Sequence, residues 1–217
     1  MPSKDRSSGP ARVGIVALQG DFDAHARAVR EAGGLPVFVR TPEAVAEVDG
    51  LILPGGESTT IGKLLERYGL DDALHAAHAV GTPIYGTCAG MILLSRRIAH
   101  GEMQGGQLTL GLMDIVVTRN AFGRQADSFE TDIVAPEVAG SREPGADSVR
   151  GVFIRAPYVD EIGPGVEVLA RYDDKIVLVR EAGLLASAFH PELTGDSRVH
   201  AYFLRMIGDH EARKIEG

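Results

Sequence analysis

The sequence predicts an α/β fold of three layers: a mostly parallel sheet flanked by helices, with antiparallel strands in its second half. Three observations carry this expectation. Short apolar runs alternate with helical patterns up to about residue 98. From there on, strand-like runs follow one another with turn residues between them. With 217 residues, 44% of them hydrophobic and 24% charged, the chain can bury one large core.

Val13 to Leu18 is a short apolar run bounded by glycine, the pattern of a buried strand. Asp21 then opens a helix in which Phe22, Ala26 and Val29 recur at helical spacing, and Gly33-Gly34 ends it. Pro36 to Arg40 and Gly50 to Leu53 read as strands, Thr59 to Arg67 and Asp71 to Val80 as helices. Pro83 to Tyr85 is a strand running into Cys88, and Met91 to Ile98 is the next expected helix. In the second half, Leu108 to Thr118, Phe129 to Val134, Val149 to Ile154, Val166 to Arg171, Lys175 to Arg180 and Leu184 to Phe189 read as strands. Hairpins are expected there in preference to crossovers. Glu137 to Asp147 lacks periodicity and reads as an exposed loop, and Ser197 to Ile207 as a closing helix. No repeat or linker divides the chain. One domain is expected over residues 12–210, between a disordered tail at 1–11 and a C-terminal tail at 211–217.

The formal charge of −8, with no basic stretch, argues against a nucleic-acid partner. No run approaches the ~18 apolar residues of a membrane span, and Met1 to Ala11 has no apolar segment of a secretory signal. The cytoplasm is the expected compartment. The single cysteine excludes an internal disulfide and a multi-cysteine zinc site. It is either a buried apolar filler or a nucleophile.

Gly86-Thr87-Cys88-Ala89-Gly90 lies between a strand and a helix. Small flanking residues permit the tight turn of a nucleophile elbow, and the helix start directs N–H groups toward the sulfur. A glycine-rich packing turn around a buried cysteine is the alternative. Phe189-His190-Pro191-Glu192 supplies the partners: residues two apart in extended chain share a side, so Glu192 can orient His190 for proton transfer to and from Cys88. Alone, His-Pro-Glu is often only a turn. Leu51 to Ser58 ends a strand in Pro54-Gly55-Gly56, where backbone N–H groups can face a cleft. Donors aimed at a developing oxyanion contribute ~3 kcal/mol each. A phosphate-binding turn is the rival, but no Gly-Lys-Ser/Thr follows.

In this order the three motifs resemble the class I, triad-type glutamine amidotransferases, over Val13 to Leu204. Finer features resemble the glutaminase subunits of pyridoxal 5′-phosphate synthase (PdxT type). These are Ala17-Leu18-Gln19-Gly20-Asp21-Phe22 with His25, Pro54 to Thr60, Arg119-Asn120 before Phe122-Gly123-Arg124-Gln125, and Phe153 to Pro157. The departures are the N-terminal tail and the loops around Gly101 to Gln107 and Glu137 to Asp147.

The resemblance implies that Cys88 attacks the glutamine carboxamide, His190 protonates the departing ammonia and Glu192 orients His190. It implies an oxyanion hole from the N–H groups of Gly56 and Ala89. Gly56, Glu57, Ser58, Arg119, Ile154 and Arg155 would hold the amino-acid end of the substrate, a guanidinium suiting the carboxylate and a glutamate the ammonium. It implies a PdxS-type synthase subunit as partner in a hetero-oligomer. No cofactor and no metal are expected. Gln19 is expected at the same sheet edge as Gly56 and Cys88, where docking of the synthase would order the Gly55-Gly56 turn.

Two other functions compete. A cysteine peptidase on this scaffold would not need Glu57, Arg119 and Arg155 to clamp a free amino acid. A redox-sensing protein around one thiol would leave His190 and Glu192 unexplained. His75 and His78, three apart on a helix, read as a solvated face, and His100, His200 and His210 carry no pattern.

Overall fold

The computed structural model describes residues 9–100, 107–119 and 128–216. β1 (Arg12–Val16) leads to α1 (Phe22–Glu31), whose start is capped by Asp21 Oδ1 accepting from Ala24 N at 3.1 Å. β2 (Leu35–Val39), the short α2 (Pro42–Val45) and β3 (Gly50–Leu53) follow. Then come α3 (Ser58–Tyr68) and α4 (Leu70–Ala79), joined through Gly69 in the left-handed region at φ 66°. β4 (Ile84–Thr87) enters the elbow, followed by α5 (Ala89–Leu94). Next are β5 (Ser95–His100), β6 (Met113–Thr118), β7 (Phe129–Val134), α6 (Pro136–Ala139) and β8 (Ser148–Phe153). β9 (Tyr158–Ile162), β10 (Glu167–Tyr172), β11 (Lys175–Glu181), β12 (Leu184–Ser187) and α7 (Arg198–Glu216) complete the chain.

The large sheet runs β2-β1-β3-β4-β12-β11-β9-β6-β5, with β10 against β11, and β7 and β8 form a separate antiparallel ribbon. From β2 to β12 all neighbours are parallel. β3, β4 and β12 are buried along their whole length, as helices on both faces require. The expected mixed α/β fold is therefore present. The parallel strands all end at one edge, and the turns after β1, β3, β4 and β12 bring Gln19, Gly55-Gly56, Cys88 and His190 there. Open α/β sheets place their sites at this edge.

Several expectations need correction. Met91 to Ile98 is not one helix: α5 stops at Leu94, Ser95 turns to ψ 151°, and its Oγ donates to Ile92 O at 2.7 Å. β5 follows because it completes the sheet edge beside β6, with Arg96 paired to Asp114 at 2.6 Å. Pairing across the sheet overrides the local helical pattern. The run from Leu108 becomes a strand only at Met113, since Leu108 packs over Gly62 and Leu110 N donates to Leu93 O at 2.6 Å. The expected loop at Glu137 contains α6, held by buried Val138. β9 went unread because its Asp160, Glu161 and Ile162 are exposed. Not every second-half pairing is a hairpin, since β12 joins β4 and β5 joins β6 in parallel.

The closing helix passes the expected end at Ile207 and runs through the expected tail to Glu216. Gly208 does not stop it, because His210 packs over Gly81 and Lys214 pairs with Glu211 at 3.1 Å. Within the described residues, the core is continuous from Val13 on β1 to Ile207 on α7. The expectations for residues 1–8, 101–106 and Asn120 to Gln125 lie outside the described residues.

Candidate active site

Cys88 follows β4, its backbone N donating to Ser187 O at 2.8 Å on the neighbouring strand. Its φ is 49° and ψ −99°, a conformation that costs a non-glycine residue roughly 1–3 kcal/mol. The sharp turn presents the side chain at the sheet edge, though the residue stays buried. The flanking glycines are needed for space: a Cβ on Gly86 would strike the backbone of Gly90, and one on Gly90 would strike Leu53 O. Local sequence thus dictates the elbow.

His190 arrives from the other side of the cleft, three residues beyond β12. Its N donates to Val152 O at 2.8 Å, forming an isolated bridge to β8. Gly55 leaves room for its ring, which a Cβ there would hit. Pro191 and Glu192 begin a 3-10 turn (Pro191–Leu193), and Glu192 Oε1 lies 2.7 Å from His190 Nδ1. Both residues are buried.

Burial alone would lower the His190 pKa. Its hydrogen bonds to Cys88 and Glu192, and the charges of both, outweigh that and raise it from 6.5 to about 10. Burial alone would raise Glu192. The charge of His25, with hydrogen bonds from His190 and His25, instead holds it well below the usual carboxylate range. The structure therefore gathers Cys88, His190 and Glu192, as the sequence expected, in surroundings that favour the charged form of His190.

The sequence named His25 within a motif but gave it no role, and did not show the layer it forms behind them. His25, fully buried on α1, places Nε2 3.3 Å from Glu192 Oε1 and 3.1 Å from Thr87 Oγ1. Its Nδ1 lies 3.0 Å from His200 Nε2. Burial and the charge of His25 push His200 down to about 3, so it is neutral. Tyr85 Oη sits 2.9 Å from Ser187 Oγ, which donates to Phe189 O at 3.0 Å. The available signal was the position of His25, two residues from Asp23 but between Ala24 and Ala26 on the face that buries Val29. A titratable group in an apolar stripe asks for a buried partner. His75 is exposed, in keeping with a solvated helix face.

A cavity of about 120 Å³ opens in front of the sulfur, lined by Gly56, Glu57, Ser58, Cys88, Ala89, Ile92, Arg119, Ile154 and Arg155. All six residues expected to hold substrate are among them. Their states differ. The Glu57 carboxylate caps α3, accepting from Thr59 N at 3.2 Å and Thr60 N at 2.7 Å. Burial would raise its pKa, but these bonds and that from the Thr60 hydroxyl lower it. Arg119 donates to Gln107 Oε1 at 2.6 Å and stands 3.9 Å from Glu57 Oε1. Arg155 is exposed with φ 45°, and makes no ion pair with a described residue.

Gln19 touches the same turn, its Oε1 accepting from Glu57 N at 2.9 Å. Gly56 has φ 155°, and a Cβ on it would lie 2.5 Å from Gln19 Oε1. Gly20, at φ 102°, lets Gly55 O pack where its own Cβ would be. The turns after β1 and β3 are interlocked.

The fold and the site define a class: an α/β enzyme with a cysteine at a strand-to-helix elbow and a histidine–glutamate pair beside it. The chain belongs to the SNO glutamine amidotransferase family, whose sequence profile matches residues 15–209. It is 54% identical over 196 residues to a protein of Desulforudis audaxviator named pyridoxal 5′-phosphate synthase subunit PdxT, covering 90% of this chain and 98% of that one. A protein of the same name from Frankia casuarinae is 56% identical over 200 residues, covering 92% and 96%. Among solved structures, a glutamine amidotransferase at 47% identity superposes with a TM-score of 0.80, over 90% of this chain and 98% of the other. Among the described residues, no helix is long and apolar enough to cross a membrane.

Proposed function

We propose that the protein is the glutaminase subunit of a pyridoxal 5′-phosphate synthase, working in the cytoplasm. It hydrolyses L-glutamine to L-glutamate and ammonia and delivers the ammonia to a PdxS-type synthase subunit in a hetero-oligomer. The names of its relatives support the partner and the pathway. The observation that carries the reaction is the small cavity ending at Cys88, with Glu57, Arg119 and Arg155 on its walls. It is suited to one amino acid rather than a polypeptide, which weighs against the peptidase. A lone thiol nucleophile suits a reducing compartment.

Cys88 attacks as thiolate on the carboxamide carbon, opposite an imidazolium His190 that its hydrogen bonds to Cys88 and Glu192, and the charges of both, favour against burial. The N–H groups of Gly56 and Ala89 stabilise the oxyanion. As the C–N bond breaks, His190 passes its proton to the departing ammonia, leaving a thioester on Cys88. The neutral His190 then takes a proton from water, hydroxide attacks the thioester, and glutamate leaves with the thiolate restored. Glu192 keeps His190 oriented throughout. Arg155, without an ion pair among the described residues, takes the substrate carboxylate; Glu57, with Ser58 and Ile154 beside it, faces the ammonium end. Gln19 ties its own turn to Gly56-Glu57, and synthase docking near it orders the oxyanion turn. The test is ammonia release from glutamine with and without the synthase subunit. Release that the synthase stimulates supports this function, and no release in either condition rejects it.

A further inference from the structure

Resting on the reading of Cys88, His190 and Glu192 as the triad, we propose that His25 is a positioning residue of the site. It locks the Glu192 carboxylate by donating from Nε2, and ties that carboxylate to Thr87, the residue before the nucleophile.

The geometry leaves Glu192 few other anchors. Its Oε2 is buried with no hydrogen-bond partner among the described residues. Oε1 carries both contacts, to His190 Nδ1 at 2.7 Å and to His25 Nε2 at 3.3 Å. Were His25 absent, the catalytic histidine would be the carboxylate's one hydrogen-bonded neighbour among these. Glu192 would then be free to turn Oε2 toward it and carry the ring along. Position at a reacting centre matters: a misplacement near 1 Å can cost on the order of 100-fold in rate.

The protonation of His25 Nε2 follows from its neighbours. A carboxylate only accepts, so a bare nitrogen facing Glu192 Oε1 would meet lone pairs with a lone pair. With a proton, Nε2 can serve Glu192 and Thr87 Oγ1 (3.1 Å) together. On the far side, His25 Nδ1 faces His200 Nε2 at 3.0 Å, and one proton lies between them. That proton can sit on either ring. Nε2 keeps its own proton in both cases. His200, neutral and fully enclosed on α7, supplies the partner without competing for charge. Tyr85 packs edge-on against both rings, with centroids at 6.5 Å from His25 and 6.0 Å from His200, which fixes their planes.

The test measures kcat and KM for glutamine in the complex with the synthase subunit, for wild type, His25→Leu and His25→Gln. A glutamine amide nitrogen can reach the place of Nε2, so His25→Gln should stay within ~3-fold of wild-type kcat. His25→Leu should lose ~10-fold or more in kcat with KM unchanged, because the cavity of Glu57, Arg119 and Arg155 is untouched. An active wild type beside an unchanged His25→Leu overturns this inference alone, as does equal loss in both variants or a loss confined to KM. A wild-type complex that releases no ammonia overturns the triad reading and this inference with it. If His25→Leu does not fold, nitrogen NMR of the histidines in the wild-type complex decides. A proton on His25 Nε2 between about pH 6 and 9 supports the assignment, and a bare Nε2 overturns it.

Discussion

His190 Nδ1 lies 2.7 Å from Glu192 Oε1 inside the protein, with both side chains almost free of solvent. Such a pair links the fold to pH. The His190 pKa is raised in the folded state from 6.5 to about 10. Its contribution to stability is therefore full below about pH 6.5 and is lost as pH rises through about 10. Glu192 is depressed, so its contribution is present above its ordinary value of 4.5 and is lost as pH falls. Denaturant unfolding of wild type and His190→Gln should differ most near pH 6 and converge toward pH 10. A gap that widens with pH would contradict the raised His190.

Cys88→Ala should abolish glutamine hydrolysis and keep the fold, and a glutamine-analogue electrophile should label Cys88, the chain's single cysteine. Cys88→Gly should be as inactive but more stable than Cys88→Ala by about 1 kcal/mol, because glycine tolerates the positive φ. Thermal melts of the two variants compare them directly. Equal melting would mean the elbow holds no backbone strain.

The two partners of Cys88 should not be equally sensitive. His190→Ala removes the proton donor for ammonia and should cost at least ~100-fold in kcat. Glu192→Gln keeps a hydrogen-bonding group and should cost less. Near wild-type rates in both would show the triad to be misassigned.

Arg155→Ala should raise the glutamine KM by on the order of ten- to a hundred-fold, the loss of one charge-assisted hydrogen bond. Stability should hardly move, since the side chain is exposed and makes no ion pair with a described residue. A change in kcat alone would move Arg155 out of substrate binding.

Gln19→Ala removes the acceptor of the Glu57 N–H at 2.9 Å. Stimulation of hydrolysis by the synthase should fall more than basal hydrolysis does. A variant stimulated as strongly as wild type would detach Gln19 from gating.

The sequence made most of the parallel half legible because its longer elements carry local signals, while the four-residue α2 went unread. Asp21 caps α1, Gly69 ends α3, and Gly86 and Gly90 bracket the elbow. The six cavity-lining residues expected to hold substrate were named through motif resemblance, not through spacing. What failed depends on distant neighbours. Ser95 to His100 becomes a strand because β6 lies beside it, and α7 continues past Gly208 because Gly81 receives His210. His25 and His200 are 175 positions apart, so no local pattern announces their contact. Glu57 is expected from the motif to hold the substrate; the fold shows its carboxylate capping α3, a task the sequence did not announce.

The bridge between His190 and Val152 divides the site between two bodies of backbone. Cys88 N donates into the large sheet, to Ser187 O, whereas His190 N donates to Val152 O on the two-stranded ribbon. Amide protons report the opening of the unit they belong to. The Cys88 amide should therefore exchange with deuterium on the slow timescale of the buried strands, and the His190 amide on the faster one of the ribbon. Anything that spans both residues couples the two units, so substrate occupancy is readable as a convergence of two exchange rates, even where turnover is blocked.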